Sequence, residues 1–377
     1  MRKGFCFILI TIACTFILTA CGENGEKSAI DTNEKNVSEN EYVEETTFEL
    51  EGPVKMMNFN LNETGDILYW GENDGGLGDD LRRNVWVDGE VRPLNIDVFN
   101  QFSFLTEAGT IITKINNPKA PEGERYSIIE YDPTTEEAKE YPTKDGFDDI
   151  LLPDPGTYLD EQKMYIHTDT NPEQDKESNT YIWDVKKNEF NVLSFIDDIK
   201  KEVEEITPYV HLYLNDDASI VYGTVSEEGI YSHDVAAGTT KKLLSTEQIL
   251  PQSGVSPVLT KDGANLIYGE VDPDASEIIY RYQALDVETG ETIGIGDGKH
   301  VLTLSDGNAV IILDEKVMHF DFETEELQTI HTIELEENQE LNNVTVSADG
   351  STIAYGYETK GEDEEEDTYE MTILRNG

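Results

Sequence analysis

The sequence predicts an all-β protein, a seven-bladed β-propeller of four-stranded antiparallel blades whose last blade is closed by an N-terminal strand. Three observations predict it. Polar turns recur at Thr64-Gly65, Ala108-Gly109, Asp160-Glu161, Asp217-Ala218, Asp262-Gly263, Asp306-Gly307 and Asp349-Gly350, at intervals of 43 to 57 residues. Each is followed by an apolar, β-branched or aromatic run, such as Ile67-Leu68-Tyr69-Trp70, Ile220-Val221-Tyr222 or Ile353-Ala354-Tyr355. The seventh unit stops after three strands, around Met371 to Leu374, and Thr47-Phe48-Glu49-Leu50 lies ahead of the first unit with strand character of its own. Repeats of about 40–50 residues, four strands each, are the size of propeller blades. A two-domain β-sandwich is the competing fold, but it does not call for seven similar units.

The chain opens with Arg2 and Lys3, followed by an apolar stretch over residues 4–19. That stretch is shorter than the ~20 residues of a membrane span, and it ends in small residues as secretory signals do. Leu18-Thr19-Ala20-Cys21 resembles the lipobox of bacterial lipoproteins. The resemblance implies that residues 1–20 are a signal peptide cut before Cys21, and that the Cys21 thiol carries diacylglycerol. Two acyl chains anchor a protein stably where one does not. It implies a lipid-anchored protein on the extracytoplasmic side of the cell membrane, with the membrane as one partner. Cys6, Cys14 and Cys21 are the only cysteines, so the folded part offers no disulfide and no thiolate metal site. Residues 21–46 are polar and acidic and read as a flexible tether. The propeller is placed at residues 47–377.

Within the repeats, Asp-Gly and similar pairs reverse the chain because Gly accepts φ > 0 and Asp tolerates it. The unit Ser347-Ala348-Asp349-Gly350-Ser351-Thr352-Ile353-Ala354-Tyr355 resembles the S-P-D-G-x-x-[IL]-A-[FY] repeat of TolB-like propellers, relatives of WD-repeat propellers. Residues 260–268 are a looser copy. The repeat's proline is absent here, and the third unit lacks its glycine. This resemblance implies a fold and no particular function.

Propeller topology places the Asp-Gly turns on one face and the connections between second and third strands on the other. Those connections are long in the first, second, third and seventh units (71–84, 116–125, 168–180 and 358–368) and read as short in the fourth, fifth and sixth. Because the seventh unit neighbours the first in a closed ring, the long ones form one sector. Residues 194–207 carry Ile196, Ile199, Val203 and Ile206 at helical spacing. Ser194 and Asp197 fit an N-terminal cap and Pro208 a stop. This helix is placed at the edge of the sector.

Charge narrows the partners. There are 79 acidic against 27 basic residues, a net of −52. Such a surface excludes nucleic acid and repels anionic headgroups, while attracting cations and basic partners. Catalytic signatures are missing from the sequence. None of the six histidines forms H-E-x-x-H, no G-x-S-x-G elbow and no P-loop occur, and Gly294-Ile295-Gly296 reads as strand geometry. Trp70, Trp86 and Trp183 read as interblade packing. The weak metal candidates are Asp74, Asp79 and Asp80 among glycines, and the acidic run over residues 361–367. Calcium is thus the sole candidate cofactor, although neither site has the spacing of an EF-hand. The reading is a monomeric, non-enzymatic binding or assembly module that meets a protein or cell-envelope ligand through its long-loop face. Its alternative is a propeller enzyme (lactonase, lyase or glycosidase) working at the channel mouth.

Overall fold

Alternation along each strand decides how this chain packs. On β23 (Ala309–Leu313), Ala309 and Ile311 are buried in one apolar cluster, and Val310 and Ile312 in another. A strand with two buried faces must lie between two neighbours. Four such strands make a blade, and blade after blade buries what the previous one exposes.

The computed structural model describes residues 42–73, 81–94, 103–116, 126–142, 158–159, 164–168, 180–187, 189–201, 210–215, 217–225, 229–245, 257–271, 278–361 and 367–377. All belong to one compact unit, residues 34–377. Blade 1 is β2 (Val54–Leu61), β3 (Ile67–Asn73), β4 (Leu81–Val87) and β5 (Glu90–Pro93). Blade 2 is β6 (Phe104–Leu105), β7 (Ile111–Asn116), β8 (Tyr126–Asp132) and β9 (Glu137–Pro142). Blade 3 is β10 (Tyr158–Leu159), β11 (Met164–Thr168), β12 (Thr180–Asp184) and β13 (Glu189–Leu193). The helix α1 (Phe195–Lys200) then leads to blade 4: β14 (Val210–Leu214), β15 (Ile220–Val225), β16 (Gly229–Asp234) and β17 (Thr239–Ser245). Blade 5 is β18 (Val258–Leu259), β19 (Asn265–Val271), β20 (Tyr280–Asp286) and β21 (Thr292–Gly298). Blade 6 is β22 (His300–Thr303), β23, β24 (Lys316–Asp321) and β25 (Glu326–Thr332). Blade 7 is β26 (Gln339–Val346), β27 (Thr352–Thr359) and β28 (Thr368–Asn376), completed on its outer edge by β1 (Tyr42–Leu50).

The hydrogen-bond ladders fix the number of sheets at seven. Each sheet has four antiparallel strands, and no ladder joins one sheet to another. The apolar core gives the same count independently. Seven clusters of buried residues each span one pair of blades: 7–1, 1–2, 2–3, 3–4, 4–5, 5–6 and 6–7. That cycle closes on itself, which a pair of stacked sheets does not do.

Blade 7 is stitched from both ends of the propeller. Along β1 and β28, Tyr42 pairs with Asn376, Phe48 with Met371 and Leu50 with Tyr369, with a bulge between Glu44 and Thr46. The strand begins at Tyr42, so the boundary expected at residue 47 moves forward and residues 42–46 leave the tether. The physical reason is Tyr42 itself. Its hydroxyl donates to the Gly350 carbonyl at 2.7 Å, its ring meets His331 edge-on, and burial beside Asp349 pushes its phenol up to about 12.

Two further expectations are corrected. The connection in blade 5, residues 272–279, is as long as that of blade 7, residues 360–367, so blade 5 does not belong with the short ones. The hydrophobic residues Val271 and Tyr280 that bracket it had blurred the strand ends. The helix is described only as α1, because residues 202–209, with Val203 and Ile206, lie outside the described residues. Its anchors are Phe195, fully buried, and Ile199. Ser194 makes no capping bond; its Oγ donates instead to the Asp198 carboxylate at 3.4 Å.

Candidate binding face

The two faces of the ring are built from different material. On one face, the six described turns between first and second strands repeat a single hydrogen-bond pattern. The amides of Gly65, Gly109, Ala218, Gly263, Gly307 and Gly350 donate to the carbonyl three residues back. These residues all have positive φ, Ala218 included. Asp217, Asp262, Asp306 and Asp349 each accept from the amide two residues on, at 2.9–3.0 Å. The second turns of blades 2 to 6 lie on the same face, and each is closed by an aspartate that ends the third strand. Asp132, Asp184, Asp234, Asp286 and Asp321 each accept from amides two or three residues ahead, at 2.7–3.2 Å. This recurring aspartate was available in the sequence as Asp-Pro-Thr-Thr, Asp-Val-Lys-Lys, Asp-Val-Ala-Ala, Asp-Val-Glu-Thr and Asp-Phe-Glu-Thr.

The turns of neighbouring blades are tied to one another by backbone bonds. Ser305 N donates to Ala348 O, Asp349 N to Glu63 O, and Glu63 N to Glu107 O, at 2.7–3.0 Å. They link blades 6, 7, 1 and 2 in sequence. Lys261, in the blade 5 turn, pairs with Glu107 in the blade 2 turn, reaching across the ring. Burial lowers the Lys261 ammonium's pKa, and the neighbouring Glu63 opposes that shift. Ser305 Oγ adds a bond to Glu63 Oε1 at 3.3 Å. Polar groups of this face are thus largely spent on one another.

The turn face is also where the chain enters and leaves. Tyr42 sits over the blade 7 turn, and Arg375 on β28 reaches the blade 1 turn. The Arg375 guanidinium donates to Glu45 (2.6 Å), Asp66 (2.9 Å) and the carbonyls of Thr64 and Gly65. Gly65 is held there at φ +69°, where an added Cβ would fall 2.2 Å from Thr352 Oγ1.

The opposite face holds the connections of unequal length, and its described ends carry buried charge. In blade 1, Glu72, Arg83 and Asn84 lie at the loop ends of β3 and β4, each at most 7 % exposed. Glu72 faces blade 7. Its carboxylate accepts from Trp70 Nε1 (2.8 Å), Asn84 Nδ2 (2.8 Å) and Glu51 N (3.3 Å). It thereby fastens the crossover from β1 to β2, and Arg82 pairs with Glu51 above it. Burial pushes the Glu72 carboxyl up, and the Trp70 bond partly offsets that. Arg83 faces blade 2 beside Tyr69, whose hydroxyl lies 2.5 Å from Ser103 Oγ. Sequence reasoning missed this cluster. Its only sequence signal is the polar run at the facing ends of the two strands, Glu72-Asn73 and Arg82-Arg83-Asn84, whose spacing does not mark which members are buried.

The predicted site residues are distributed as follows. Cys21, Asp74, Asp79 and Asp80 lie outside the described residues, as do residues 362–366 of the acidic run. Asp367 accepts from Gly361 N at 2.9 Å. No group of three or more metal-ligating side chains occurs among the described residues, and no described helix is long and apolar enough to cross a membrane. Trp70, Trp86 and Trp183 are all buried between blades.

No protein-family model matches the chain. No curated protein matches it either. Solved structures do resemble it. An oligogalacturonate lyase in complex with manganese superposes with a TM-score of 0.51 at 11 % identity, covering 88 % of this chain and 96 % of that one. At such identity the likeness concerns the fold alone: this chain is an all-β propeller.

Proposed function

We propose that this protein is a lipid-tethered extracytoplasmic binding or assembly module whose loop face meets a protein or cell-envelope ligand. The observation that supports it is the asymmetry between the faces. Turn-face polar groups are satisfied by one another, and the N-terminal strand joins the propeller there, at Tyr42. A tether attached at that point leaves the loop face on the far side of the domain. Loops on a rigid scaffold are the usual carriers of recognition, and the net charge of −52 favours a basic or cationic ligand.

Site-specific photo-crosslinking in the producing cell tests the reading. Probes at Glu336 and Lys360, on the loop face, should capture a partner, while probes at Thr324 and Asp306, on the turn face, should not. Capture from the turn face alone, or from neither, overturns it. Cys21→Ala should abolish acyl labelling and release the protein from the membrane fraction; unchanged labelling overturns the lipid anchor. Calcium binding at Asp74, Asp79 and Asp80 is checked by calorimetry, where millimolar Ca²⁺ without heat rejects it.

The second reading is enzymatic, and the lyase superposition is what favours it. It requires cleavage of oligogalacturonate or another acidic oligosaccharide that depends on added Mn²⁺.

A further inference from the structure

The sole helix among the described residues is fastened to blade 4 through a buried histidine. α1 lies in the connection between blades 3 and 4. Phe195 and Ile199 dock into the cluster formed by Ile182, Leu212, Val221 and Tyr231. The Phe195 ring occupies space left by Gly223, where an added Cβ would come 2.3 Å from Phe195 Cζ. Edge-on against Phe195, with centroids 6.0 Å apart, lies the imidazole of His233 on β16. His233 is 1 % exposed.

A chain of hydrogen bonds runs from this imidazole to the helix. His233 Nδ1 is 2.8 Å from Thr240 Oγ1 on β17, and Thr240 Oγ1 donates to Asp198 Oδ2 on α1 at 3.0 Å. With its own proton committed to the carboxylate, the Thr240 hydroxyl accepts from Nδ1–H. Lys201 holds the other Asp198 oxygen at 2.7 Å. The remaining charged groups around the imidazole are Asp234 on its own strand, Asp197 on the helix, which bears on Lys201, and Lys241 and Lys242 beside Thr240 on β17. Lys242 is turned toward the Tyr231 ring. Val221, the β15 partner of His233, is apolar.

We propose that docking of α1 is coupled to protonation of His233, so that acidification releases the helix from the turn-face end of blade 4. The imidazole is enclosed by Phe195 while the helix is docked and becomes hydrated when it leaves. Burial lowers the docked pKa, and Asp198 and Asp234 only partly offset it. The sign follows directly. A base that holds its proton more weakly in the docked state favours the undocked state as pH falls below the ordinary imidazole value of about 6.5. The undocking constant then rises by up to about tenfold per pH unit, until the docked pKa is reached.

Hydrogen exchange of the full chain, corrected for intrinsic rates, reads this directly. Amides of residues 195–201 should lose protection severalfold between pH 7 and pH 5.5, while those of β23 keep theirs. In His233→Gln, whose amide can still donate to Thr240, the pH-dependent loss should disappear. Equal protection of wild type at both pH values overturns the proposal, as does an undiminished loss in His233→Gln. Gly223→Ala supplies a second route, because its methyl group displaces Phe195. There the His233 titration followed by NMR should move up toward 6.5, and an unmoved titration also overturns the coupling.

Discussion

The turn face and the loop face are made by the same seven blades, yet they obey different rules. Six described first turns repeat one geometry, with a glycine or alanine at positive φ, and in four of them an aspartate accepts from the amide two residues on. Loop-face connections run from two residues between β23 and β24 to the span 169–179 in blade 3. Their described ends hold the buried Glu72 and Arg83 in place of repeating turns. Uniformity marks the side that builds the ring, and variation marks the side that is free to acquire a ligand. The comparison breaks if turn-face substitutions alter binding, and it sharpens if they alter stability alone.

The largest effect is expected at Gly65. Gly65→Ala must place a methyl group against Thr352 and hold an L-residue at φ +69°. It should cost about 3 kcal/mol, read as a lower denaturation midpoint at unchanged slope. Crosslinking from Glu336 should persist in the folded fraction. Next comes Glu72, the loop-face fastener. Glu72→Ala leaves the Trp70 and Asn84 donors buried without their acceptor and should cost about 2 kcal/mol. Glu72→Gln keeps an acceptor and should cost less. Burial raises the Glu72 pKa, so its ionisation weighs against the fold. Wild type should therefore gain on Glu72→Gln as pH falls from 7 toward about 4.

Arg375→Ala is the third. It removes the ties from β28 to the blade 1 turn and to Glu45 on β1. The ion pairs are partly exposed, so a loss of about 1 kcal/mol is expected. A double-mutant cycle with Glu45→Ala should show coupling, because both residues act on one seam.

The unequal legibility of the two faces has a physical cause. The turns at Gly65, Gly109, Gly263, Gly307 and Gly350 could be read because positive φ restricts residue choice, and Trp70, Trp86 and Trp183 because large apolar groups must be buried. Ala218 was found through spacing rather than residue type. The early start of β1 was hidden because Glu44, Glu45 and Thr46 look like tether; what makes them strand is pairing with β28, more than 300 residues away. The Glu72 cluster was hidden for a related reason. A polar residue in a strand reads as exposed until a crossover from another blade covers it. The His233–Thr240–Asp198 chain joins residues on two strands and a helix, and no spacing in the sequence announces it.

The smallest predicted effect concerns the aspartates that close the second turns. Asp286 is held below the usual carboxylate range chiefly by the Thr289 amide, and Asp321 by that of Thr324. A depressed folded pKa contributes stability above the unfolded value of about 3.9, and that stability is lost as pH falls through the lowered one. Asp286→Ala and Asp321→Ala should each cost about 0.5–1 kcal/mol at pH 7, with the difference from wild type closing as pH falls below the unfolded value of about 3.9. Thermal denaturation of each variant between pH 7 and pH 2.5 measures this. The two losses should add, since the turns belong to blades 5 and 6 and share no partner. Strong non-additivity would mean that neighbouring turns act as one rigid rim, extending to the second turns the backbone ties already present between the first.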